Sequence, residues 1–227
     1  LAALRFDLRT HLTGDLARLD GRQWGHGWIT GLGIERAMFG VYLLDPHLAD
    51  DDRAMVGSVL TSEADWLLTE YEVVGDPWGT SGKNKPESNM WNGAILWRAA
   101  AMYPDHAHAD AWREKAHAFL LNAVSVPSDA DDDTVIAGKP LRAWHVGANF
   151  FPHYALDHHG YTNVGYSVVT LSNAAMLHYD LASQDCAAPE SLYHHNGDLW
   201  GVVRRTVFAD GRLARIGGDS RVRYAYC

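Results

Sequence analysis

The sequence predicts a mostly α-helical fold, an incomplete (α/α) toroid of antiparallel helical hairpins that carry long functional loops. Three observations predict it. Apolar residues recur at the three- and four-residue spacing of a buried helix face along most of the chain. Strand alternation is scarce, and nothing has the strand–helix–strand rhythm of a parallel sheet. Successive helical segments pair into hairpins of about forty to fifty residues, a repeat length typical of α/α architectures.

The first helix is expected over residues 1–19, LAALRFDLRTHLTGDLARL. Residues 29–44, ITGLGIERAMFGVYLL, form a second, glycine-rich on one side and stopped by Asp45-Pro46. Asp50–Tyr71 places Met55, Val59, Leu60, Trp66, Leu67 and Tyr71 on roughly one face. Pro86–Tyr103 opens with Pro-Glu in the first turn, where a missing N–H costs nothing and a negative charge meets the helix dipole. Asp110–Ala123 repeats apolar positions at Trp112, Ala116, Phe119 and Leu120, and Gly165–Leu181 and Leu192–Phe208 complete seven helices. Loops fill 72–85, 124–164 and 209–227. Loops of that length are uncommon in a compact domain unless they carry function.

The chain has 227 residues and is read as one toroid catalytic segment over 1–227. It is expected to belong to a longer chain, because Leu1 begins inside a helical pattern. A net charge of −9 argues against nucleic acid, whose phosphates need a basic footprint. No run of eighteen apolar residues occurs, so no membrane-spanning helix is expected. Nine tryptophans, ten tyrosines and thirteen histidines are the unusual numbers. Surplus aromatic rings make flat apolar platforms for the CH faces of sugars. The sequence sets no oligomeric state, and a polysaccharide substrate would favour a secreted or periplasmic setting.

Three loop regions combine groups able to act on such a substrate. GRQWGHGWITG alternates Trp24, His26 and Trp28 with glycines that allow close approach. GKNKPESNMWNG sets Glu87, Asn89 and Asn92 at a helix start, a place that favours an anionic group. WHVGANFFPHYALDHHGYTNVGY gathers His145, Asn149, His153, His158 and His159 ahead of Tyr161 and Tyr166. The tail DGRLARIGGDSRVRY adds Arg212, Arg215, Arg221 and Arg223 around Gly217-Gly218, suited to bidentate carboxylate recognition.

Metal ligation is the rival explanation for the histidine loop, but neither an HExxH nor a Cys/His quartet marks it, so zinc stays a weakly signalled alternative and no residue is assigned to a metal. The acidic run SDADDDTV, residues 128–135, reads as a solvated surface turn, with calcium as its one candidate ligand; no other cofactor is implied. A serine-hydrolase elbow, a P-loop and a dinucleotide glycine motif are all absent.

His, Tyr, Asn and Arg among aromatic walls fit β-elimination from a uronic acid. The C5 proton is too weak an acid until donors neutralise the adjacent carboxylate and stabilise the developing enolate. A Tyr or His then removes that proton, and a Tyr or His protonates the leaving glycosidic oxygen.

NKPESNMWNGAILWRAAAMYPDHAHADAWREKAHAFL, followed by GANFFPHYALDHHGYTNVGYSVVTLSNAAM, resembles the α/α-toroid polysaccharide lyases. The resemblance runs over residues 80–227 and is nearest to the group cleaving rhamnose–glucuronate linkages, more loosely to heparinase- and alginate-type lyases. It implies an Asn/His pair on the uronate carboxylate, with Tyr or His as base and acid. Asn89, His159 and Tyr166 match those roles, with Arg215 and Arg221 as further carboxylate ligands. Trp24, His26, Trp28, Glu87, His153, His158 and Tyr161 are the expected substrate-binding residues.

Two other functions compete. An α/α-barrel glycoside hydrolase needs two carboxylates roughly 5–10 Å apart across a cleft. Glu35, Glu87 and Asp157 are its candidates. A non-catalytic carbohydrate-binding protein would use the aromatic walls alone.

Overall fold

Ala2–Thr10 coils as α1, and the helical path then ends. The computed structural model describes residues 1–76, 85–214 and 216. Helix takes 59% of it and strand 5%, with eight α-helices among the described residues. After α1 come α2 (Thr30–Leu44), α3 (Asp50–Glu70), α4 (Pro86–Met102), α5 (Ala109–Leu121), α6 (Leu141–Trp144), α7 (Val164–Ser183) and α8 (Asn196–Val203). Two short strands, β1 (Val135–Ile136) and β2 (Lys139–Pro140), pair antiparallel with Val135 opposite Pro140. No described helix is long and apolar enough to cross a membrane. The chain forms two compact units, one of Leu1–Glu72 with Ile95–Lys115, the other of Val73–Ala94 with Ala116–Cys227.

In the first unit Leu8 of α1, Ile34, Met38 and Val41 of α2, and Val56, Val59, Leu60 and Leu67 of α3 are buried. Three aspartates open α3, where they complement the positive end of the helix dipole. Asp52 reaches back to the Ala49 N–H at 3.0 Å and takes two hydrogen bonds from Arg5 at 2.8 and 2.7 Å. Glu35 and Arg98 are fully buried and meet through two bonds of 2.8 Å, with Tyr42 Oη 2.7 Å from Nη1 of the same guanidinium.

Helix α1 stops at Thr10, short of the expected residue 19, because tertiary partners outbid helix propensity. His11 is buried, with Nε2 2.9 Å from Glu63 and Nδ1 accepting the Thr13 N–H at 3.1 Å. That pattern puts the ring proton on Nε2, pointing at the carboxylate. The Leu12 N–H meanwhile donates to Trp24 O at 2.8 Å, and the Trp24 N–H to Thr10 O at 3.0 Å.

The second unit has a core of Val124, Val126, Phe150, Leu156, Leu199 and Val203, against which Tyr154, Tyr166, Val168 and Leu171 pack. A smaller cluster joins Leu121 to Leu141 and Trp144 of α6. Two glycines set a close approach: a Cβ added at Gly75 would meet the backbone of Gly147, and one at Gly147 would meet Gly75. Gly147 also has φ +147, which side chains rarely adopt.

Five expected helices stand within two residues of α2, α3, α4, α5 and α7. The helix expected over 192–208 is instead broken. A 3₁₀ turn at Glu190–Tyr193 precedes α8, and His195 takes a left-handed φ of +53 between them. The loop expected over 124–164 holds a 3₁₀ turn at Pro127–Asp131, the β1–β2 hairpin and α6. The acidic run is not wholly solvated either: Asp129 is buried and accepts the Val126 N–H at 3.0 Å.

Candidate active site

Asn163 caps α7, its side-chain oxygen accepting the Tyr166 N–H at 3.1 Å. Its amide nitrogen donates to His158 O at 3.2 Å, so one side chain ties a loop residue to a helix residue. The loop closes on itself: Gly160 N–H donates to Asp157 at 3.1 Å and His158 N–H to Tyr161 O at 3.2 Å. His159 (φ +66) and Gly160 (φ +82) make the turn. A left-handed histidine costs on the order of 1–3 kcal/mol and persists where its surroundings over-determine it.

Three rings converge there. The His158 ring lies flat on Tyr166, with centroids 4.0 Å apart and planes 7° apart. The His159 ring stands 4.4 Å from His158 and 5.4 Å from Tyr166. His159 Nε2 is 3.3 Å from Tyr166 Oη. Packing of the Tyr166 ring on the core fixes it, while its hydroxyl reaches the exposed His159.

Beside the stack, Glu87 in the first turn of α4 is buried, with Oε2 3.4 Å from His158 Nε2. That is ion-pair distance without hydrogen-bond geometry. Glu87 Oε2 and both His158 nitrogens have no hydrogen-bond partner among the described residues. Leaving a buried polar atom unpaired costs roughly 1–3 kcal/mol, so such atoms call for an explanation.

Asn89 takes a different role from the one expected. Its amide nitrogen donates to Val74 O at 2.7 Å and to Asn122 O at 2.9 Å, which uses both of its hydrogens. No donor remains for a substrate carboxylate, so Asn89 is scaffold. Asn92, buried one turn further along α4, has an Nδ2 without a partner among the described residues.

The remaining expected residues sort by unit. In the first, Trp24 packs edge-on to His11 at 4.7 Å and donates its indole N–H to Asp7 O at 2.8 Å. His26 stacks on Trp66 with centroids 5.7 Å apart, its Nε2 3.0 Å from Ser62 Oγ. It lines a cavity of about 740 Å³ with Thr13, Asp65, Trp66, Glu70 and His108. Trp28 is exposed. Glu35, a hydrolase candidate, is buried and paired with Arg98. In the second unit, His153 stacks on Phe151 at 5.9 Å rather than joining the three rings. Tyr161 is half-buried and belongs to the closed loop, and Asp157 holds its turn. Arg212 pairs with Asp210 at 2.8 Å. Arg215 and Arg221 lie outside the described residues.

Sequence reasoning missed a second cluster in the same unit. Asp129, His194 and His195 bring ligand-type atoms within 4.8 Å of one another. Burial pushes the Asp129 carboxyl up, but hydrogen bonds from His194, His195 and the Val126 N–H outweigh it and hold the group well below the carboxylate range. Burial acts to lower His195, yet Asp129 and Asp198 leave it raised. Burial, then the nearby Asp198, pushes the Tyr154 phenol up to about 12. The His-His doublet and the acidic run were the available signals; their meeting is tertiary.

No family model, no curated protein and no solved structure matches this chain.

Proposed function

We propose that the chain is a polysaccharide lyase that cleaves a glycosidic bond at a uronic acid by β-elimination. The observation that carries this reading is the pairing of an exposed His159 Nε2 with Tyr166 Oη at 3.3 Å. His159 removes the C5 proton, and the C5–H electron pair becomes the C4–C5 double bond. As the C4–O bond breaks, the Tyr166 hydroxyl gives its proton to the departing oxygen. His158, with both ring nitrogens unspent and Glu87 beside it, donates to the carboxylate as charge develops there. Asn92 is a second candidate donor, in place of Asn89.

One observation favours the hydrolase reading: Glu87 keeps a buried carboxylate oxygen without a hydrogen bond. A panel of uronate-containing polysaccharides, followed in the ultraviolet, separates the two. β-Elimination leaves an unsaturated uronate that absorbs, whereas a hydrolase releases reducing ends with no gain in absorbance. Reducing ends alone would overturn the lyase reading.

A further inference from the structure

We infer that Asp129, His194 and His195 form a binding site for a first-row divalent metal ion of the zinc class. His195 Nε2 lies 2.9 Å from Asp129 Oδ1, and His194 Nε2 lies 3.2 Å from Asp129 Oδ2. Metal–ligand bonds of about 2.0 Å in a tetrahedron put neighbouring ligand atoms about 3.3 Å apart. His195 Nε2 meets one carboxylate oxygen and His194 Nε2 the other, each near that edge length, and one ligand atom from each of the three residues falls within 4.8 Å of the others. The two imidazoles converge from adjacent residues, with ring centroids 3.8 Å apart.

The outer contacts fit as well. His195 Nδ1 stands 3.3 Å from Asp198 Oδ2 and 3.1 Å from Tyr154 Oη. A metal-bound imidazole commonly donates its other N–H to a carboxylate, which fixes its tautomer and orientation. A carboxylate stands at each nitrogen of His195, Asp129 at Nε2 and Asp198 at Nδ1. Asp129 is itself 1% exposed and anchored by the Val126 N–H at 3.0 Å, so the carboxylate is held in place before any ion arrives.

The donor set excludes calcium, which takes six to eight oxygen ligands. Two imidazoles and a carboxylate suit zinc and its first-row neighbours. Three protein ligands leave a tetrahedral ion one open position. The inference does not depend on the lyase reading, because its test reads binding alone.

The experiment is titration of the tag-free full chain with Zn²⁺ against a chromophoric chelator, repeated with Co²⁺ to read coordination from the visible spectrum. The expected result is one equivalent of Zn²⁺ and a tetrahedral Co²⁺ spectrum, with His194→Ala and His195→Ala each weakening binding at least about 100-fold. Circular dichroism checks that both variants fold. If either does not, Asp198→Asn replaces it: Asp198 is exposed and orients His195, and its loss should weaken Zn²⁺ binding about 10–100-fold. No stoichiometric Zn²⁺ binding by the native chain overturns the inference. So does binding that survives the folded variants, or that Asp65→Ala abolishes instead, since Asp65, His106 and His108 form the other His/Asp group among the described residues.

Discussion

Asn89 and Asn149 donate to the same two backbone carbonyls. Each amide nitrogen reaches both Val74 O and Asn122 O, at 2.7 and 2.9 Å for Asn89 and at 3.0 and 2.6 Å for Asn149. Two buried side chains thereby fasten residue 74 and the end of α5 to one point. Either asparagine alone still leaves each carbonyl a donor; losing both leaves Val74 O without either amide and Asn122 O with only the 3.5 Å contact from Ser125 Oγ. Asn89→Ala should therefore cost about 1–3 kcal/mol. The double variant with Asn149→Ala should cost more than the sum, by about 0.5–3 kcal/mol. Urea unfolding checks this, and strict additivity would show that the asparagines act separately.

The buried pair of Glu35 and Arg98 predicts a different pattern. Arg98→Met strands a carboxylate in a dry interior and should cost about 3–5 kcal/mol. Adding Glu35→Leu removes the stranded charge and should restore most of the loss, because the interior no longer holds a charge without a partner. Denaturant midpoints of the two variants decide it; a double variant no better than the single one contradicts it.

The Arg5–Asp52 contact predicts a dependence on pH. The hydrogen bonds from Arg5, aided by the Ala49 N–H, hold the Asp52 carboxyl down to about 2. A carboxyl depressed by folding contributes stability above its unfolded value of about 3.9, and that contribution is lost as the pH falls through the folded value. Arg5→Met should thus be less stable than the native chain at pH 7, with the gap closing between about pH 4 and pH 2. Thermal unfolding across that range measures it, and a gap independent of pH would assign the loss to packing.

Legibility from the sequence followed the range of the forces involved. Helices α2, α3, α4, α5 and α7 were legible because apolar periodicity and start signals are local. The end of α1 was not, since the His11–Glu63 and Leu12–Trp24 bonds that stop it come from residues distant in the chain. At the site, the neighbours His158, His159 and Tyr166 could be read from one loop and one helix start. The spent donors of Asn89 could not, because Val74 and Asn122 are brought to it by folding. Asp129 looked like one more solvated aspartate for the same reason: burial depends on what folds over a residue.

In the proposed β-elimination, His159 and Tyr166 transfer the protons. The most direct test compares the ultraviolet rate of the native chain and Tyr166→Phe on a uronate polysaccharide that the native chain cleaves. Phenylalanine keeps the ring on His158 and in the core and removes only the hydroxyl. An absorbing product from the native chain is expected, with kcat lower by about 10²–10⁴ in the variant and KM little changed. Full activity in Tyr166→Phe, together with its loss in Glu87→Gln, would contradict the account and make the carboxylate the catalytic group.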